Sequence, residues 1–132
     1  MDTRNTSIKH ILPTIEFIRE TDSENEAFQN NVLRPISKFQ NELIIQNFEI
    51  ALLENKIEFH KLKHHLKVAK VHDLFKSNIQ FKQFNLGFIV AYFTTDDFLF
   101  YTQNKKEVNK RIIALLIERI CSQIETIRNL AV

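Results

Sequence analysis

"FQNNVLRPISKFQNELIIQNFEI", residues 28 to 50, decides the fold class. Phe28, Val32, Ile36, Phe39, Leu43 and Ile50 recur at steps of three, four or seven, which is the spacing of one helix face and not the alternation of a strand. Ser23 followed three residues later by Glu26 has capping-box spacing, so a long helix is predicted to open there. Pro35 sits inside the run. It removes an intrahelical hydrogen bond and predicts either a kink or the first turn of a second segment.

The rest of the chain agrees with a helical class. One glycine, Gly87, and two prolines, Pro13 and Pro35, are too few for the tight turns of a sandwich or barrel, or for a phosphate-cradling loop. At 132 residues, 44% hydrophobic and 26% charged, the chain suits one packed domain and is not a disordered one. Residues 1–22 lack a sustained period and are read as an arm or short helix laid on the body by Ile8, Ile11, Leu12, Ile15, Phe17 and Ile18. Residues 23–132 form the bundle domain.

"HKLKHHLKVAKVH" (60–72) carries apolar residues on two arcs, Phe59, Leu62 and Leu66 against Val68, Val71 and Phe75. One straight helix cannot bury both. A corner is therefore predicted between His60 and Leu66, with a helix running from it to about Ser77. Asn78 is the predicted cap of a central helix carrying Phe81, Phe84, Phe88 and Tyr92, in which Gly87 permits a close helix approach. "TTDD" (94–97) opens a short helix to about Thr102, with Asp96 and Asp97 facing the positive end of the macrodipole. Asn104 and Glu107 open the last long helix, whose stripe of Ile112 or Ile113, Leu116, Ile117, Ile120, Ile124, Ile127 and Leu130 extends nearly to the terminus. The expected fold is an all-α bundle of four or five helices, with the first and last long.

Charge is unevenly divided. Residues 1–55 carry five Lys/Arg against nine Asp/Glu, and residues 56–132 carry thirteen against seven. Such a split lets front and back helices attract each other, within one chain or between two, or steers an anionic partner. The longest apolar run, "LGFIVAYF" (86–93), is far shorter than the roughly 20 residues of a membrane span. Cys121 is alone and "DTRNTSIKH" after Met1 has no apolar run, so a cytoplasmic setting without membrane attachment is expected.

Chemistry is sparse. His60 and His64 have the i, i+4 spacing of helical metal ligands, but a site needs three or four ligands, the lysines repel a cation, and the corner divides the pair. No metal and no cofactor are expected. Asp96 and Asp97 are neighbours, pointing about 100° apart, and cannot face one another as an acid/base pair. Cys121 has no histidine at a helical neighbour position, and with one glycine no phosphate loop, dinucleotide fingerprint or nucleophile elbow can be present. No catalytic residue is nominated, and the expected function is non-enzymatic.

Two sets of polar residues remain. Gln29, Gln40, Asn47 and Asn109 fall at the edge of or inside apolar arcs. They either pair across helices to fix register or line a pocket for a small amphipathic ligand. Lys61, Lys63, Lys67 and Lys70 form a basic corner open to an anion. Nucleic acid fits it poorly, because no aromatic interleaving or groove-reading motif accompanies the charge.

"FQNNVLRPISKFQNELIIQNF" (28–48) and "FTTDDFLFYTQNKKEVNKRIIALLIERICSQI" (93–124) resemble a group of short, all-helical bacterial proteins to which no activity or catalytic residue is assigned. The resemblance runs from about Phe28 onward and implies an all-helical fold. Some of the group carry a glyoxalase label. Glyoxalase-type enzymes are built from strand-rich modules around a His/Glu metal site, and this chain reads as helical with no comparable ligand set. The expected mode of action is an interface: a homodimer through the first or last long helix, and beyond that another protein partner.

Overall fold

A computed structural model describes residues 3–12 and 23–130. Of these, 83% are helical and none lies in a strand. The α-helical segments are α1 (Thr3–Ile11), α2 (Glu24–Phe28), α3 (Arg34–Phe39), α4 (Asn41–Glu54), α5 (His64–Ser77), α6 (Ile79–Val90), α7 (Thr95–Gln103) and α8 (Lys105–Ser122). They outnumber the four or five expected, chiefly because the long first helix is divided.

That division has two causes. Ser23 caps α2 by accepting from the Glu26 N–H at 3.0 Å, and residues Gln29–Leu33 then widen into a π-helical stretch. The Arg34 N–H reaches back five residues to the Gln29 carbonyl. Pro35 follows in the first turn of α3, where its missing N–H costs least. At Gln40 (φ −88°, ψ 5°) the chain bends again before α4.

The face expected to be buried along this run is not a single face. Phe28 and Ile36 are buried and Val32 is half-buried, whereas Phe39, Leu43 and Ile50 are exposed. In α4 the core takes Ile44, Phe48, Ala51 and Leu52 instead. Consecutive residues lie about 100° apart on a helix. Leu43 and Ile44, like Ile50 and Ala51, therefore belong to two adjoining apolar arcs, and the fold buries the second.

α8 is the axis of the bundle. It packs on α3, α4, α5, α6, α7 and the π stretch through a face that includes Val108, Ile112, Leu116 and Ile120. α6, expected to be central, packs on α4, α5 and α8 but leaves Phe84 and Gly87 outside. α8 also stops at Ser122, short of the predicted end. After a 3-10 turn at Ile124–Thr126, Arg128 meets Glu49 of α4: the buried carboxylate accepts from the Arg128 backbone N–H at 2.6 Å and from its Nη2 at 3.1 Å.

Local punctuation follows the sequence closely. The corner is a 3-10 turn at Phe59–Lys61, with Phe59 buried against Phe48, and α5 begins at His64. Val71 and Phe75 are buried with Leu74, and Val68 is half-buried. The Asn78 side chain caps α6 at the Phe81 N–H. Thr94 and Asp97 form a reciprocal capping box on α7. Asn104 differs: it stands at the cap position of α8, but its amide donates to the Phe100 carbonyl and makes no cap. Of the arm, Ile8 is buried and Ile11 exposed, and Arg4 Nε donates to the Phe93 carbonyl at 3.1 Å. Pro13, Ile15, Phe17 and Ile18 lie outside the described residues.

Candidate functional site

α4 has more apolar circumference than its core contacts use, and the surplus faces out beside α6. Exposure is 42% at Phe39, 47% at Leu43, 39% at Ile50 and 61% at Phe84. Leu43, Asn47 and Ile50 follow at steps of four and three along one arc of α4. Across from them, Ile50 and Phe84 line one groove of about 290 Å³, floored by Ala51 and Phe81. Phe84 meets Phe88 edge to face at 5.0 Å, and one residue before Phe88 stands Gly87, where an added Cβ would meet nothing within 4 Å. The close approach expected at Gly87 is thus not made among the described residues. Apart from Glu54, the polar groups lining the groove are amides, Asn47, Asn55, Asn78 and Gln80. An apolar patch with an amide rim and little charge has the make-up of an interface core.

The four amides nominated from sequence are not brought together. Gln29 Oε1 accepts from Arg111 Nη1 at 2.9 Å. Gln40 is buried, and its Nε2 donates to the Phe88 carbonyl at 3.0 Å, tying the α3–α4 bend to the end of α6. Asn47 lies in the groove just described, and Asn109 Oδ1 accepts from the Tyr101 hydroxyl at 2.7 Å. Gln40 has the geometry of a register-fixing contact. Asn109 instead lines a cleft between α5, α6 and α8.

The basic corner is largely neutralised within the chain. Lys61 pairs with Glu58 at 3.0 Å, Lys67 with Glu125 at 3.3 Å, and Lys70 approaches Asp73 at 4.0 Å. Lys67 also lies 5.6 Å from the centre of the Phe59 ring. Lys63, just before α5, is exposed. His64 shares Glu125 with Lys67, and their hydrogen bonds, His64's foremost, hold that carboxyl below its ordinary range. Among the described residues no three His, Cys, Asp or Glu side chains cluster as a metal site would need, and no helix is long and apolar enough to cross a membrane. Burial pushes the Cys121 thiol up, away from its nucleophilic form.

Sequence reading missed the outward arc of α4, because the same residues had been assigned to the core. It also missed the clasp of Glu49 by Arg128 and the bridge in which Asn41 meets Arg119 and Gln123. A glutamate amid "IIQNFEIALL" is the one local signal that could have marked the first. Comparison with protein-family models, with curated proteins and with solved structures gives no match.

Proposed function

We propose that this protein acts through an interface and not through catalysis, and that the outer face of α4 and α6 receives a second copy of the chain. The outward apolar arc of α4, Leu43 and Ile50, continued across α6 by Phe84, carries the reading. In a twofold dimer the same patch meets itself, so a patch with little charge is self-complementary where a charged one would repel. Gly87 and the open space above it give a neighbouring helix room to approach.

A small face fits a weak, reversible dimer. Helices of 14 and 12 residues are about 21 and 18 Å long at 1.5 Å per residue. Side by side they fall short of the roughly 800 Å² per partner of a standard stable interface, which points to a micromolar dimer. The setting that accompanies this reading is the cytoplasm, where an unpaired Cys121 stays reduced.

Amide hydrogen exchange at dilute and at concentrated protein tests the face itself. Slower exchange at high concentration, confined to α3, α4 and α6, is expected. Slowing confined to other helices would place the contact elsewhere, and no concentration dependence would remove the second copy as the occupant.

A further inference from the structure

The last helix breaks two local rules of helix design. Lys105 and Lys106 occupy the first turn of α8, where the positive end of the macrodipole disfavours cations. Lys106 and Lys110 stand one turn apart, a like-charge spacing that weakens a helix. Departures of this kind mark places where sequence serves something other than the fold.

Lys106 and Lys110 meet Lys76 of α5 and Lys82 of α6 around a cleft of about 530 Å³. No carboxylate stands within 4.0 Å of any of these four among the described residues, in contrast to Lys61, Lys67 and Lys70. His72 is also on the lining, and no acidic residue is. The floor is apolar, made by Phe75 of α5 with Ile113 and Ile117 of α8. Asn109 supplies its one fixed polar group. Tyr101, whose hydroxyl burial pushes up and so keeps protonated, donates to Asn109 Oδ1, and the Nδ2 of that amide remains a donor. The polar groups here are chiefly donors, and four of them are lysine amines.

We propose that this cleft binds an amphipathic organic anion, with its apolar body against Phe75, Ile113 and Ile117 and its carboxylate or phosphate headgroup among Lys76, Lys82, Lys106 and Lys110. A cation is repelled, and a bare inorganic anion leaves the floor wet. The cleft volume lies within the ordinary range for small-ligand sites. The occupant also relieves the mutual repulsion of the four lysines, so it stabilises the fold as it binds. The site is separate from the outer face of α4 and α6, and it stands whether or not the chain dimerises.

The test is a calorimetric and amide-resolved NMR titration of the whole chain with decanoate, decyl phosphate, decanol and inorganic phosphate. Saturable binding of the two amphipathic anions is expected, with shifts concentrated in α5 and the first half of α8. Decanol and inorganic phosphate bind roughly tenfold more weakly or worse. Tighter decyl phosphate assigns a phosphate headgroup, and tighter decanoate a carboxylate. The exposed pair Lys106→Glu/Lys110→Glu lowers affinity by roughly tenfold or more, whereas Lys61→Glu/Lys63→Glu, with the same charge change at the other corner, leaves it unaltered. Decanol binding as well as decanoate, inorganic phosphate binding as well as decyl phosphate, or equal losses in the two double variants would each overturn the proposal. So would a single-stranded oligonucleotide that binds more tightly than either amphiphile.

Discussion

Phe39 and Tyr92 meet edge to face, ring centroids 5.3 Å apart and planes at 66°, closing one end of the outer apolar face. Phe39 belongs to α3 and Tyr92 follows α6, so the contact pins the α3–α4 bend against the end of α6. Beneath it, Gln40 donates to the Phe88 carbonyl, one of the last carbonyls of α6, which lack a partner of their own within the helix.

Gln40→Leu is therefore predicted to destabilise the chain by about 1–3 kcal/mol, the cost of leaving a part-buried carbonyl without a donor. Urea denaturation measures it. A neutral result would mean that water reaches the Phe88 carbonyl once the amide is gone.

Asn85 predicts the opposite sign. It is fully buried on α6 and its Nδ2 donates to the Phe81 carbonyl at 2.8 Å, yet its Oδ1 has no partner among the described residues. Asn85→Leu conserves much of the volume and removes an acceptor that is both desolvated and unused. The variant is expected to be neutral or more stable by up to about 1 kcal/mol in the same urea experiment. A loss of about 2 kcal/mol or more would mean that the amide holds something essential.

Glu125 gives the chain a pH dependence. His64 Nδ1 lies 3.0 Å from its Oε1 and Lys67 Nζ 3.3 Å from its Oε2, and these contacts lower its carboxyl from the ordinary value. A carboxyl depressed by folding contributes stability above its unfolded pKa, and the contribution is lost as pH falls through the folded value. The stability difference between the native chain and Glu125→Gln should be open at neutral pH, begin to narrow at the ordinary glutamate value of about 4.3, and close only as pH falls through the lower folded value. The effect is small, because the pair is exposed and salt screens it. Thermal melts across that range read it, and a difference that grows on acidification contradicts the sign.

Features set by neighbours in sequence were legible, the cap at Asn104 excepted, and features set by packing were not. The corner before His64, the cap at Asn78, the helix start at "TTDD" and the helix stop at Ser77 depend on residues within one turn, and each appears where the sequence placed it, with Thr94 rather than Thr95 as the cap of α7. The buried face of α4 was not legible. Leu43/Ile50 and Ile44/Ala51 offer equally apolar arcs about 100° apart, and only the partners supplied by α8 and α6 choose between them. The lysines of the α5–α6–α8 cleft were equally hidden. Lys76, Lys82, Lys106 and Lys110 come from three helices, whereas the lysines of the dense run at 60–72 lie together in sequence and are mostly paired in the fold.

Sedimentation equilibrium tests the central claim, self-association through the outer face of α4 and α6. From about 1 to 100 µM the native chain should rise from its monomer mass of 15.7 kDa toward twice that value, as a micromolar dimer requires. The double variant Leu43→Glu/Phe84→Glu changes two exposed positions, keeps its helical circular dichroism spectrum, and stays at 15.7 kDa throughout. A native chain that remains at 15.7 kDa across the series, or a double variant that associates like the native chain, would contradict the account.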